Sequence, residues 1–318
     1  MLKLDWIKSG RNRFPRGNWF VEFFTKGEFH AHQIKKTLAE SKTAFQTATL
    51  VETVSFGKVL IIDRETQSTE YDEFIYHEAL VLPALLAHKR PETALILGGG
   101  EGATAREILN SKTVKKLVMA DIDHNVLKFA KKHLYSWHRN SFENEKFSLL
   151  VQDAGKYVEN TALKFDLVYS DLPSPVEGGP AYRLYTLEFY RRLKGVMAEG
   201  AIFTTQAGPG TPVEFELHPA LRNTLSKVFR HVFSYSFFVP GYDMPWAFLL
   251  ASDRDLSGEL KKEKTDVRIA KRLKNKPRLM NGEAVEKLSN LPLYLTKMIK
   301  RDKRIITKDK PVFFSTSR

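Results

Sequence analysis

Apolar residues between Trp19 and about Glu70 come in short runs: Trp19–Phe24, Phe45–Val54 and Lys58–Ile62, with Phe56-Gly57-Lys58 as the turn between the last two. The second run alternates polar and apolar positions over part of its length, as an antiparallel sheet with one solvated face requires. At Asp72 the period changes. Phe74, His77, Leu80, Val81 and Ala84 recur at helical spacing and predict a helix over Glu73–Leu86. Strands are then expected at Ala94–Leu97, Leu117–Ala120, Phe147–Val151, Leu167–Ser170 and Ala201–Thr205. They alternate with helices at Ala103–Asn110, Asn125–His133, Ala154–Glu159 and Thr186–Val196. That alternation predicts an α/β fold, a parallel sheet flanked by helices. Phe233–Val239 and Ala247–Ala251, around Pro240-Gly241, read as a terminal hairpin. Residues 1–16, with Arg11, Arg13 and Arg16, read as an extended arm, and residues 253–280 as a charged, poorly patterned excursion. The expected division is 1–71 for the arm and a small β domain, and 72–318 for the α/β domain with a basic C-terminal extension.

Composition narrows this picture. With 318 residues, 42% hydrophobic and 27% charged, the chain has the balance of a globular protein with a large core. The longest apolar candidate for a membrane span, Ala79–Ala87, is short and broken by Pro83, and Met1–Trp6 lacks a signal-peptide layout, so a cytoplasmic protein without membrane partners is expected. There is no cysteine, which excludes disulfides and thiolate chemistry. Asp253–Arg318 carries 19 Lys/Arg against 9 Asp/Glu, so most of the formal net charge of +13 sits in the last fifth of the chain. A solvated, Lys-rich face is preferred there to a nucleic-acid surface, because no nucleic-acid-binding module accompanies the charge. A cationic substrate would then need a locally acidic pocket.

Such a pocket is indicated at the strand ends. Thr93-Ala94-Leu95-Ile96 runs into Leu97-Gly98-Gly99-Gly100-Glu101-Gly102-Ala103. A glycine turn between a strand and a helix offers free N–H groups and a positive dipole end, which suit an anion. Glu101 inside the turn disfavours a phosphate or a free carboxylate and favours an ammonium. Gly98-x-Gly100-x-x-Ala103 also passes the dinucleotide fingerprint, which methyl-donor enzymes share. Asp121 and Asp123 follow the second strand, Asp153 the third, and Asp171 ends the fourth. In an open α/β sheet the ligand lies beyond these ends. Asp121, about 20 residues past the turn, is placed for ribose hydroxyls. Asp123 is expected to cap the next helix. Asp153 can accept from an adenine amino group, and Asp171 suits a general base.

These blocks together resemble the polyamine aminopropyltransferases, the spermidine and thermospermine synthase family. Leu97–Glu107 is similar to the family's glycine signature, and Gly57–Asp63 with Gln67, then Asp72–Glu78, continue the likeness. So do Asp171–Pro180, Leu184-Tyr185-Thr186 with Phe189-Tyr190, Thr205–Gly208 and Val239–Tyr242. Glu177-Gly178-Gly179-Pro180 and Trp246 look most like thermospermine synthases. The resemblance spans roughly residues 19–252, with a weaker echo from Ile305 to Phe313. It implies a methyltransferase-like (Rossmann-like), mostly parallel sheet domain preceded by a small antiparallel β domain, no metal or cofactor, and homodimers or homotetramers. The implied reaction moves the aminopropyl group of decarboxylated S-adenosylmethionine to a polyamine: spermidine, putrescine or agmatine.

By matching positions, the resemblance assigns Glu101 to the donor's amine, Asp121 to its ribose and Asp153 to its adenine, with Gln46, His77, Gly99 and Ala154 at the donor. Asp171 would take the acceptor's proton. Tyr76, Ser174, Gln206, Tyr242 and Trp246 would line the acceptor channel. Read without the resemblance, the aromatics suit core packing and Gln206 suits backbone satisfaction. His30, His32, His133 and His138 lack partners at ligand spacing and read as surface or packing. Two positions depart from the family pattern: Ser174 stands where a second Asp is usual, and Arg64 replaces the glycine of Leu-Asp-Gly. The loss at Ser174 calls for compensation by Glu177 or another acid, and predicts an acceptor other or longer than putrescine. The rival readings are a methyltransferase using intact S-adenosylmethionine and a non-catalytic polyamine- or nucleoside-binding relative.

Overall fold

The structure, a computed structural model, describes residues 16–314 apart from Lys26, Glu214 and Asn290. The arm expected at the N-terminus falls, for residues 1–15, outside the described residues.

Strands β1 (Asn18–Thr25), β2 (Glu28–Lys42), β3 (Thr47–Thr53), β4 (Lys58–Ile62) and β5 (Glu65–Thr69) form an antiparallel sheet in chain order. Two of these were not expected. β2 is rich in charge, and β5, Glu-Thr-Gln-Ser-Thr, has no apolar residue; pairing with β3 and with β4 makes them strands. Asp63 and Arg64, both at positive φ, close the tight β4–β5 turn, and Arg64 is exposed there.

The second sheet follows helix α1 (Glu73–Ala87). Its elements are β6 (Thr93–Gly98), α2 (Ala103–Leu109), β7 (Lys116–Asp121), α3 (His124–His133), α4 (Tyr135–His138), β8 (Phe147–Val151), α5 (Ala154–Asn160), β9 (Phe165–Asp171), α6 (Leu187–Gly195), β10 (Met197–Pro209), α7 (Leu217–Leu225), β11 (His231–Val239) and β12 (Met244–Ser252). The strand order is β11-β12-β10-β9-β6-β7-β8, parallel from β10 to β8, with the β11–β12 hairpin added antiparallel. The chain winds outward from β6 through β7 to β8, then returns to place β9 on the other side of β6. That reversal makes a crevice beyond the carboxyl ends of β6 and β9, where ligands bind in such sheets.

α1 is buried on nearly every side between this sheet and the elements that follow. Pro83 lacks the N–H that would bond the carbonyl of Ala79. Tyr235 of β11 donates its hydroxyl to that carbonyl at 2.9 Å, so the interior proline leaves no unpaired acceptor. Past β12 the expected unpatterned excursion is instead structured, with α8 (Lys262–Arg272) inside it and α9 (Gly282–Glu286) and α10 (Leu293–Arg301) beyond. α8 buries only Thr265, so its sequence carries almost no apolar stripe.

Candidate active site

The glycine turn lies directly beside the end of β9. Gly98 pairs with Asp171 across the β6–β9 register, and the Gly99 N–H donates to the Asp171 carbonyl at 2.9 Å. Gly98 has φ +79, and a Cβ there would stand 2.5 Å from that same carbonyl oxygen, so no other residue fits. The turn opens into a cavity between the two sheets. All thirteen residues singled out from the sequence line it: Gln46, Tyr76, His77, Gly99, Glu101, Asp121, Asp153, Ala154, Asp171, Ser174, Gln206, Tyr242 and Trp246.

The acids are held in different ways. Asp171 accepts from Thr104 Oγ1 at 2.6 Å and from Tyr76 Oη at 3.1 Å. Burial and the Asp171 charge hold the Tyr76 phenol well above its ordinary pKa, so Tyr76 remains a donor to the carboxylate. Glu101 accepts from Ser68 Oγ at 2.7 Å, and Ser68 in turn accepts from Trp137 Nε1 at 2.9 Å, which fixes the carboxyl's direction. Burial pushes Glu101 up to about 7, although His77 nearby and the Ser68 bond pull it down. Asp121 accepts from the Asp123 N–H at 2.9 Å, and burial raises it to about 6. Asp123 caps α3 through Oδ1, at 3.0 Å from Asn125 N and 3.2 Å from Val126 N, and its other oxygen accepts from Thr43 and Gln46. Asp153 caps α5 through Lys156 N at 2.8 Å.

Behind the turn runs a buried relay. Arg106 of α2 grips Glu73 with two bonds of 2.9 Å, Glu73 Oε2 stands 3.0 Å from His77 Nδ1, and His77 Nε2 stands 3.9 Å from Glu101. Burial would depress His77, but the bond and charge of Glu73, with the charge of Glu101, hold it up at about 9. It is therefore a buried cation at neutral pH. Glu73 is held at about 2 by His77 and Arg106, against the effect of burial.

The amide of Gln206 is fully occupied. Nε2 donates to Tyr185 Oη at 2.9 Å and the Leu172 carbonyl at 3.3 Å, while Oε1 accepts from Gly208 N at 2.8 Å. Tyr242 donates to the Gln67 carbonyl, and its ring lies 4.9 Å from that of Trp246. Asp72 ties this corner together, accepting from Thr69 Oγ1 at 2.7 Å and from Gly241 N at 2.5 Å.

Several site residues escaped the sequence reading. Glu22, Glu65, Phe24 and Phe314 line the cavity, whereas Glu177 is exposed and does not. Glu22 of β1 and Glu65 of β5 bring two further acids to the same lining that holds Ser174. For Glu22 there was a signal: it lies between Phe20 and Phe24 at period 2, on the buried face of β1. Phe314 had none, since it reaches the cavity only because its N–H bonds the Pro175 carbonyl at 2.7 Å. Among the described residues no cluster of three or more His, Cys, Asp or Glu is placed to hold a metal, and no helix is long and apolar enough to cross a membrane.

Residues 73–261 match the spermine/spermidine synthase domain and residues 18–70 the spermidine synthase tetramerisation domain. The polyamine aminopropyltransferase of Sulfurisphaera tokodaii is 42% identical over 295 residues, covering 93% of this chain and 97% of that one. That of Aeropyrum pernix is 40% identical over 309 residues, covering 96% and 98%. Among solved structures, a spermidine synthase in complex with the transition-state analogue AdoDATO superposes with a TM-score of 0.83 at 24% identity, covering 94% of this chain and 99% of that one. The Thermotoga maritima spermidine synthase gives 0.81 at 24% identity, covering 94% and 98%. An acidic crevice at the sheet's reversal point, the two domain matches and relatives of about this identity over nearly the whole chain lead to one conclusion: this protein belongs to the spermine/spermidine synthase family.

Proposed function

We propose that the protein transfers the 3-aminopropyl group of decarboxylated S-adenosylmethionine to a polyamine and releases methylthioadenosine. The observation that carries this reading is Glu101: a buried carboxyl inside the glycine turn, directed by Ser68, where the intact methyl donor would have to place its own carboxylate. The decarboxylated donor keeps only an ammonium at that end. Asp121 and Asp153, at the ends of β7 and β8, face the crevice where the nucleoside would lie, with Gln46 and Ala154 beside them. His77 orients Glu101 from behind.

The acceptor's nitrogen must be neutral to attack the methylene next to sulfur. Asp171 takes the proton it sheds, and Tyr76 and Thr104 fix both carboxylate oxygens for that task. The nitrogen–carbon bond forms as the carbon–sulfur bond breaks, and the electron pair goes to sulfur and cancels the sulfonium charge. Since charge is lost rather than built, positioning supplies much of the rate. Tyr242, Trp246 and Ser174 wall the acceptor's path, with Gln206 bracing it. Homo-oligomers, dimers or tetramers, would form through the five-stranded sheet, whose neighbourhood exposes Phe23, Phe29 and Tyr71.

The test is the mass and connectivity of products from decarboxylated donor with putrescine, agmatine and spermidine. Asp171→Asn should lower kcat by roughly 10²–10⁴-fold, the usual worth of a positioned base. Methyl transfer from intact S-adenosylmethionine, with no methylthioadenosine from the decarboxylated donor, would overturn the reading.

A further inference from the structure

The last described residues of the chain reach the cavity from outside both sheets. Ile306 is buried and bridges two helices: its N–H donates to Thr224 Oγ1 of α7 at 2.8 Å, and its carbonyl accepts from Leu187 N of α6 at 2.8 Å. Lys308 N donates to Glu188 Oε2 at 3.2 Å, and Val312 packs on the core of the large sheet. Past these anchors the Phe313 ring meets that of Tyr182 edge-on, with centroids 5.7 Å apart. Phe314 is buried, lines the cavity and sets its ring 6.4 Å from that of Trp246. Its N–H donates to the Pro175 carbonyl at 2.7 Å. That bond falls in the middle of the loop that follows Asp171. Leu172 and Ser174 of this loop line the cavity, Glu177 and Gly178 are exposed, and nothing lies within 4 Å of where a Cβ at Gly178 would stand. Pro173, Pro175 and Pro180 have no N–H to tie the loop down. Among the described residues, the Phe314 bond is the one backbone–backbone hydrogen bond joining residues 174–180 to another element.

We propose that the C-terminal segment is a part of the active site: the Phe314 ring walls the acceptor's side of the cavity, and the Phe314 N–H straps the 172–180 loop in place beside Asp171. The inference rests on aminopropyl transfer at this site. The two contributions are physically separate. The ring, next to Trp246, offers apolar surface to the methylenes of an amine, and each methylene it covers leaves water. The main-chain bond acts on the loop instead. Leu172 and Ser174 stand one and three residues past the base, so a loop released at Pro175 carries them away from the crevice and lets water in. Water solvates the acceptor's amine and favours its charged form, which cannot attack. Phe314 is thus a contact for the amine through its side chain and a positioning residue through its backbone. The anchors at Ile306 and Val312 lie outside the cavity lining, so the residues after them can be removed while the core keeps its packing.

The experiment compares the native full-length enzyme with Phe314→Ala, Phe314→Leu and a chain ending at Val312. The acceptor is whichever of putrescine, agmatine and spermidine the native enzyme uses best. Phe314→Ala should raise the acceptor KM roughly tenfold, carried by KM rather than by kcat and with the donor KM unmoved, and Phe314→Leu should recover most of the loss. In the chain ending at Val312, kcat should fall as well. A second readout needs no substrate: a Glu-specific protease should cut between Glu177 and Gly178 about fivefold faster in the shortened chain than in native enzyme or Phe314→Ala, at an unchanged urea midpoint. If the shortened chain does not fold, Phe314→Pro, which removes the N–H at full length, takes its place in the cleavage assay. A native acceptor KM in Phe314→Ala overturns the wall, and native cleavage at Glu177 in the shortened chain overturns the strap. Parallel rises in donor and acceptor KM with a lower urea midpoint overturn both, because they mark a structural role alone. If native enzyme releases no methylthioadenosine with any of the three amines, aminopropyl transfer itself fails, and the cleavage assay still tests the strap.

Discussion

Replacing Glu101 with Gln keeps the side chain's volume and its bond from Ser68 but removes the charge. With the carboxyl at about 7, half of the native molecules already carry the anion at pH 7. Ionising the remainder costs about 0.4 kcal/mol, so the pocket is nearly ready for an ammonium. Deleting one side of a buried, charge-assisted pair costs about 2–4 kcal/mol, a roughly 30- to 1000-fold rise in the KM for the decarboxylated donor. Intact S-adenosylmethionine should behave oppositely, because the variant no longer sets carboxylate against carboxylate. Discrimination between the two donors therefore closes from both sides, a stronger signature than weakened binding alone. A pH arm adds a sign: native donor affinity should climb with pH up to about 7, as Glu101 ionises, and then level, while Glu101→Gln keeps only the part of the slope near pH 6 that Asp121 contributes. The assay is donor KM from methylthioadenosine release, with calorimetry of both donors between roughly pH 6 and 8, bracketing the Glu101 titration. A variant that keeps native donor KM within twofold and native discrimination would refute the role given to Glu101.

Three further outcomes are expected. Glu73→Ala takes the carboxylate from buried His77 and leaves Arg106 only Glu107 and the Trp137 carbonyl, so the unfolding free energy, from urea titration, should fall by about 3 kcal/mol. Native stability should also drop as pH rises from 6.5 through about 9, because His77, raised when folded, gives up its extra stabilisation as it deprotonates; Glu73→Gln should flatten that limb. Tyr235→Phe should cost about 1–2 kcal/mol of stability by orphaning the Ala79 carbonyl, and the cost should vanish in a Pro83→Ala background, where the helix regains its own donor.

The β6–α2 turn, the helix at Glu73 and the series of strand-end carboxylates were legible because each is a local signal: a glycine run after apolar residues, a helical period, an acid at a strand's end. Residues Asp121, Asp153 and Asp171 are fixed to the crevice by the direction of a parallel sheet, which the alternation of elements already implies. β2, β5 and α8 were not legible, because β5 has no apolar residue and the few in β2 and α8 are outnumbered by polar and charged ones, so that all three owe their form to a partner strand or a packed neighbour. The same holds for the cavity's far end. Glu22, Glu65 and Phe314 are distant from one another in the chain, and only the placing of the small sheet and the C-terminal segment against the large one makes them a single wall. Sequence alone specified the chemistry of a residue and its position on its own element. Which acid meets which cation across that cavity was decided by packing between elements, since burial and opposing charge, not residue type, set the state of Glu101, His77 and Glu22.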